Sequence, residues 1–347
     1  MGNAKGDATS IGIASGTGNL LSAGGIAGPD ASGYFTATIP SARGFPVGAK
    51  MRTVAINSYY TQVISTGNVA RHAISVVKTV TGDTERRKVI DPAKCSNCHE
   101  WLELHGGSRV LAPETAGNVN VCVTCHVPAK ATSGRGISDT VWDTYTAAGN
   151  FSASDLKILV EWGVSTTATN RALQLPVAPN NFKDMIHGIH SGRDRVNPFQ
   201  DARDRTGGTP AGSTGAITLL DFRRMDFPGR RQNCETCHVA GTYASVPAGA
   251  LASTYESVNV AGNTTTALAK AALSQPNATD KVTSPFAAAC VACHDSVAAQ
   301  SHMATQGGMI QLARGTFASN IATPGKGEAC VTCHGVGRAE DVTVKHK

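Results

Sequence analysis

Between Tyr34 and Lys88 the chain alternates apolar and polar residues in short runs. Tyr34–Ile39, Met51–Ile64 and His72–Val80 carry Val, Ile, Thr and Tyr with partial period-two alternation, separated by Pro and Gly turns. The pattern predicts a small antiparallel β-domain over residues 34–88, short for an independent sandwich and expected either to lean on the rest of the chain or to complete a sheet begun upstream. Residues 1–33 are rich in Gly, Ala and Ser and read as a linker or the end of a preceding domain. After residue 88 the period shifts to helical fragments and loops. Ser152–Trp162 has a Ser-x-x-Asp start (Ser152, Asp155), Leu156, Leu159 and Val160 on one face, and Gly163 as a stop. Phe182–His190 follows the cap candidates Asn180 and Asn181. No run of about 18 apolar residues occurs, so no membrane span is predicted.

Composition makes this pattern hard to close into a core. The 347 residues are 41% hydrophobic but only 5% aromatic, with 37 glycines and 15 prolines. Something apolar beyond the side chains is needed for short helices and loops to pack around.

The cysteines supply it. Cys95-Ser-Asn-Cys98-His99 returns as Cys122–Cys125–His126, Cys234–Cys237–His238, Cys290–Cys293–His294 and Cys330–Cys333–His334. Cys-x-x-Cys-His is the attachment signature of c-type haem: two thiols on one turn reach the two vinyl groups of a porphyrin, and the next histidine meets the iron. Zinc ribbons and disulfide frameworks use paired cysteines too, but neither requires a histidine after every second one. The five motifs use all ten cysteines, at spacings of 27, 112, 56 and 40 residues, so they are not a fixed-period array. Five covalent c-type haems are therefore predicted, with His99, His126, His238, His294 and His334 as proximal iron ligands and no catalytic residue.

Each iron has a sixth position. Six of the eleven histidines lie outside the motifs: His72, His105, His187, His190, His302 and His346. Five are needed for bis-histidine ligation throughout. His105 precedes Gly106-Gly107, where missing side chains would let a porphyrin approach the backbone. His187 and His190 fall at i and i+3 on one helical side, suited to two neighbouring haems. His302 is followed by Gly307-Gly308. His346 is preferred as the fifth distal ligand over His72, which lies in an expected strand. Met303 and Met309 are expected to pack rather than ligate.

The formal charge of +6 invites a nucleic-acid partner, but haem alters it. Ten propionates bring about −10 and five ferric porphyrins about +5, leaving about +1. The arginines are scattered (Arg86–Arg87, Arg193–Arg195, Arg223–Arg224, Arg230–Arg231), and pairing with propionates explains them better than phosphate binding. Neither a basic n-region nor an apolar h-region is visible in the first 30 residues. Since c-type haem is attached outside the bacterial cytoplasm, the sequence is expected to be a mature form or a segment of a longer precursor, extracytoplasmic at the cell surface or outer membrane, or secreted.

The motifs also resemble those of the OmcA/MtrC family of outer-membrane decahaem cytochromes. The matching stretches are Val89–Cys95 with Leu102-x-x-His105-Gly-Gly, Val121–His126, Phe182–His190, Phe227-Pro-Gly, Asn233–His238, Ala289–Ser296 and Cys330–Arg338. The resemblance covers about residues 34–347 and implies one β-plus-pentahaem half, with bis-histidine haems in a staggered, crossed chain. It therefore implies a multihaem cytochrome fold: a small antiparallel β-domain (34–88), then a mostly irregular, short-helix pentahaem domain (89–347). Five motifs replace ten, and no cysteine within these residues is left for a lipid anchor or a Cys-x8-Cys pair. The expected function is electron transfer to or from extracellular acceptors: metal oxides, flavins or other cytochromes. A pentahaem partner half or filament neighbours are the expected assembly partners. Two alternatives stand beside it: a nitrite- or hydroxylamine-type oxidoreductase with one open haem, and a subunit of a cytochrome filament. The β-domain shows no flavin motif and is expected to be scaffold.

Overall fold

The alternation over residues 51–80 becomes one long hairpin. The computed structural model describes residues 13, 19–41, 44–45, 47–100, 102–105, 109–111, 120–133, 137, 139–165, 174–204, 217–247, 249–256, 278–321 and 327–347. Of the expected linker at 1–33, residues 1–12 and 14–18 lie outside them, as do Gly106 and Gly107. Strand β1 (Ile26–Ala27) pairs antiparallel with β2 (Thr36–Ala37). β3 (Thr53–Ile64) and β4 (Gly67–Thr79) pair antiparallel, from Thr53 opposite Thr79 to Ile64 opposite Gly67. β4 begins at Gly67 rather than at His72, because Gly67 takes φ +129 directly after the two-residue turn. His72 sits on β4 opposite Tyr59, and its side chain lies outside the described residues.

The hairpin leans on the motif-bearing region. Ser75 and Val77 are buried while Val76 between them is half exposed, the period-two pattern of a ribbon with one covered face. A bulge between Ile56 and Ser58 shifts the register. Val110 N donates to Ser75 Oγ at 3.1 Å. At the hairpin base Arg52 grips Asp83 bidentately at 2.9 and 2.7 Å.

The following region carries short elements: α1 (Pro92–Cys95), β5 (Leu102–Leu104), β6 (Arg109–Leu111), α2 (Asp139–Ala147), α3 (Ala153–Glu161), α4 (Phe182–His190), β7 (Gln200–Asp204), β8 (Ile217–Asp221), β9 (Ser253–Glu256), β10 (Lys281–Thr283), α5 (Pro285–Val291), α6 (Val297–Thr305), β11 (Leu312–Ala313), α7 (Arg314–Ile321), α8 (Val331–His334) and α9 (Val342–Lys345). The expectation of helices and loops alone is corrected. β5 pairs β6, β7 pairs β8, and β9, β10 and β11 form a three-stranded antiparallel sheet. These strands carry weak local signals: Gln200–Asp204 reads Gln-Asp-Ala-Arg-Asp, and tertiary pairing overrides its propensity.

The long interval between the second and third motifs builds a core of its own. Ile137, Trp142, Leu159, Val164, Leu175, Ala202 and Ile217 form one buried cluster, drawn from α2, α3, the β7–β8 hairpin and the loops beside the helices. Ser152 caps α3 in a reciprocal box with Asp155, and Gly163 ends it at φ +70. The predicted apolar face of α3 is narrower than expected. Leu159 is 1% exposed, whereas Leu156 is 43% and Val160 78% exposed.

Candidate haem sites

Each Cys-x-x-Cys-His motif folds into the same turn. The histidine N–H donates to the first cysteine's carbonyl at 2.8–2.9 Å: His99 to Cys95, His126 to Cys122, His238 to Cys234, His294 to Cys290 and His334 to Cys330. The second cysteine's N–H donates to the same carbonyl at 3.1–3.3 Å. Two thiols and one imidazole thus leave a single turn, whatever surrounds it.

The surroundings differ. Asp91 accepts from Ala93 N and Pro92 opens α1 before the first motif. Asn120 and Asn233 cap the 3-10 turns of the second and third motifs. Ser284 makes no side-chain cap bond at α5; the Glu328 carboxylate does that work instead. It accepts from Ser284 Oγ (2.6 Å), Phe286 N (2.9 Å) and Ala287 N (2.7 Å), tying the fourth motif to the residues just before the fifth.

Every motif histidine faces a second histidine. Ring centroids are 6.0 Å apart for His99–His190 and His294–His346, and 6.1 Å for His126–His105, His238–His187 and His334–His302. These pairs define sites 1, 4, 2, 3 and 5, numbered by motif order. A metal–imidazole bond of about 2.1 Å sets the ion about 3.2 Å from a ring centre, so two imidazoles sharing one ion would stand about 6.4 Å apart. The five gaps are close to what an ion shared by two imidazoles would need. No group of three or more His, Cys, Asp or Glu suited to a metal occurs among the described residues, whereas structural zinc takes four ligands. None of the ten cysteines is in a disulfide.

The second ring nitrogen sets which face of the imidazole is free to ligate. His126 Nδ1 lies 2.7 Å from Asn180 O, and His190 Nδ1 lies 2.9 Å from Ile186 O. His334 Nδ1 is 3.2 Å from Glu340 O, and His346 Nδ1 is 3.2 Å from Val342 O. In each pair Nδ1–H donates to the carbonyl, which leaves the Nε2 lone pair for a metal. Burial pushes the His187 imidazole down to about 4, with His238 adding to it, so the ring is neutral as ligation requires. Burial also lowers His238 and His294. It raises the Cys122 thiol to about 12, and Cys95 and Cys330 to about 11.

The helices that carry the facing histidines are well anchored. Asn181 caps α4 on Asp184 N, and His187 and His190 point to two different sites from it. α6 carries His302 and ends at Gly307, which takes φ +84. A side chain on Gly308 would crowd Met303 O at 2.7 Å, so this Gly-Gly pair serves helix termination. Met303 and Met309 are buried. α9, four residues long, carries His346 next to its last turn. Asp341 holds it by accepting from Gly337 N (2.6 Å) and Thr343 N (2.7 Å).

The family is now decided by comparison. The model of outer membrane cytochrome MtrC/MtrF-like proteins, domains II/IV, matches residues 87–347. The chain belongs to this MtrC/MtrF-like family. No curated protein and no solved structure matches it significantly. The MtrC/MtrF-like domain here consists of small antiparallel sheets and short helices with five Cys-x-x-Cys pairs. No helix among the described residues is long and apolar enough to cross a membrane.

Two features of the MtrC/MtrF-like domain were not visible in its sequence. First, five of the eight arginines expected to meet propionates have carboxylate partners within the chain. Arg193 pairs with Asp226, Arg195 with Asp295, Arg223 with Asp221 and Glu161, Arg224 with Glu161, and Arg231 with Asp194. Second, Lys94 Nζ donates to Glu235 O at 2.8 Å and His238 O at 2.6 Å. It bridges the first motif to the third, and only its position before Cys95 hinted at a role.

The sites also have an order in space. Thiols of neighbouring sites lie within electrostatic reach of one another: Cys122 of Cys95, Cys95 and Cys98 of Cys237, Cys234 of Cys293, and Cys330 of Cys290. The sequence order 1 to 5 thus folds into a spatial order 2–1–3–4–5.

Proposed function

We propose that this chain is an electron-transfer unit holding five c-type haems, each between the two imidazoles of one ring pair, as one pentahaem domain (89–347) beside a scaffold hairpin within 34–88. The observation that carries the proposal is the facing of all five motif histidines by a second histidine at 6.0–6.1 Å. Haem, when bound, supplies reversible one-electron chemistry at iron.

The residues contribute positioning and closure. Ten thiols would fix each porphyrin by two thioether bonds. The two imidazoles of each pair would hold the iron between them, which would leave no coordination site open for a substrate and little rearrangement on a change of charge. This weighs against an oxidoreductase with one open haem. His346 completes site 4 from within the chain, so no histidine borrowed from a neighbouring subunit is needed. The 2–1–3–4–5 order places consecutive sites side by side. External donors and acceptors are soluble or solid-phase redox partners at the cell surface: metal oxides, flavins or other cytochromes.

The test is a haemochrome assay of haem per chain together with low-temperature EPR of the oxidised protein, spins integrated. Five haems and five low-spin ferric centres are expected. A lower haem count, or a high-spin centre in each chain, overturns the proposal.

A further inference from the structure

Among the described residues, two of the buried side-chain atoms left without a hydrogen-bond partner are imidazole nitrogens: His187 Nδ1 and His238 Nδ1. They belong to the same site. Four of the other facing and motif histidines direct Nδ1 at a backbone carbonyl. A buried N–H without an acceptor costs free energy and calls for an explanation. Lys94 Nζ stands 2.6 Å from the His238 carbonyl at this site, and Arg87 is within electrostatic reach of the same imidazole.

We infer that site 3, between His187 and His238, has the highest reduction potential of the five and takes up the first electron. The inference rests on the bis-histidine reading above. Three physical effects give it the same sign. An Nδ1–H donated to an acceptor makes the imidazole more basic, which stabilises ferric iron and lowers the potential; both rings of site 3 lack that donation. A ferric bis-imidazole porphyrin core carries one positive charge and its ferrous form none, so the Lys94 ammonium and Arg87 guanidinium disfavour the ferric state. Burial likewise penalises the charged ferric form. The step is one electron from an external donor, converting ferric to ferrous iron, with no bond made or broken. Site 3 is also the middle of the 2–1–3–4–5 order, so the unit at rest would hold its first electron centrally, between two flanking pairs of sites.

The ring geometry gives site 3 a spectroscopic label. His187 and His238 are nearly parallel, with planes 12° apart, whereas the pairs of sites 1, 4 and 5 are 79–87° apart and that of site 2 is 37°. Parallel imidazoles donate to the same iron d orbital and give a rhombic low-spin signal; perpendicular ones donate to both and give a spread, near-axial one. The experiment is a stepwise reductive titration of the holoprotein followed by EPR. The site 3 signal is assigned as the one lost in His187→Met and kept in His105→Met. It is expected to disappear first. Lys94→Gln should delay its loss toward lower potential, Lys94→Arg should leave it near its original place, and Arg87→Gln should act as Lys94→Gln does. Loss of this signal after any other, or no movement in both Lys94→Gln and Arg87→Gln, overturns the inference. The total of low-spin ferric centres before reduction tests the bis-histidine reading separately, since five centres reduced in another order would refute only this inference.

Discussion

Replacing His346 by alanine separates the two candidates for the fifth facing imidazole. His346 is the partner of His294 at 6.0 Å, and its imidazole has one described hydrogen bond, 3.2 Å to Val342 O. Its helix, Val342–Lys345, is held by Asp341 rather than by the imidazole. Removing the ring should therefore change folding stability by only about 0.5 kcal/mol, the range for partly exposed positions. The electronic effect is far larger in proportion. One of five sites keeps one imidazole, so one fifth of the ferric spins should leave the low-spin signal for a high-spin or water-ligated one. The assay is integrated EPR of oxidised His346→Ala beside His72→Ala, with haem content measured on both. His72 lies on β4 opposite Tyr59, and its replacement should leave all five centres low-spin. Five low-spin centres in His346→Ala with four in His72→Ala would refute the assignment of site 4 and the reasoning from ring gaps behind it.

Three further outcomes follow from packing and charge. Glu328→Ala removes three hydrogen bonds from the start of α5 and should cost about 1–3 kcal/mol in denaturant unfolding followed by circular dichroism. Leu159→Ala, at 1% exposure in the apolar cluster around Trp142, should cost about 2–5 kcal/mol, while Val160→Ala at 78% exposure should stay within about 0.5 kcal/mol. Asp83 is held down to about 2 from an ordinary 3.8 by hydrogen bonds from Arg52. A depressed carboxylate stabilises the fold above its ordinary value and loses that contribution as pH falls through its folded one. Acid unfolding between pH 4 and 2 should therefore be shallower in Asp83→Asn, and an unchanged acid profile would show that the pair does not hold the hairpin base.

The legible and illegible parts of this chain divide along a physical line. The five motifs are legible because covalent attachment fixes thiol and imidazole spacing within one turn, and that turn repeats with its first-cysteine carbonyl bonded twice in each case. The hairpin was legible in outline from alternation, though its second strand starts at Gly67 because a turn glycine could be placed only by pairing. Which histidine faces which was not legible. Nothing in the spacing of His187 and His190 says that the later one faces the earlier motif, His99, and the earlier one faces His238. That crossing follows from α4 lying across two motifs that are distant in sequence. The short strands and the arginine partners escaped for the same reason: Gln200–Asp204 pairs by tertiary context, and Arg195 finds Asp295 across 100 residues.

The spatial order of the sites has a visible cause in the backbone. Asp91 N donates to Cys237 O and Val239 N to Val89 O, at 3.0 Å each, so the entry to the first motif and the exit of the third run beside each other. Lys94 adds two bonds across the same seam. Phe182 N donates to His126 O at 3.0 Å, which sets the start of α4 on the second motif before that helix reaches sites 1 and 3. Asp295, next to His294, takes the Val196 and Asn197 amides and Arg195 just beyond the end of α4, bringing the fourth motif to the same helix. Sites 1 to 4 are thus all referred to one nine-residue helix, Phe182–His190, while Glu328 refers site 5 to site 4. In a chain with so little aromatic surface, this replaces a continuous core as the means of fixing distances. The motif segments themselves are joined by hydrogen bonds, so the spacing between adjacent sites is set directly by the contacts that join them.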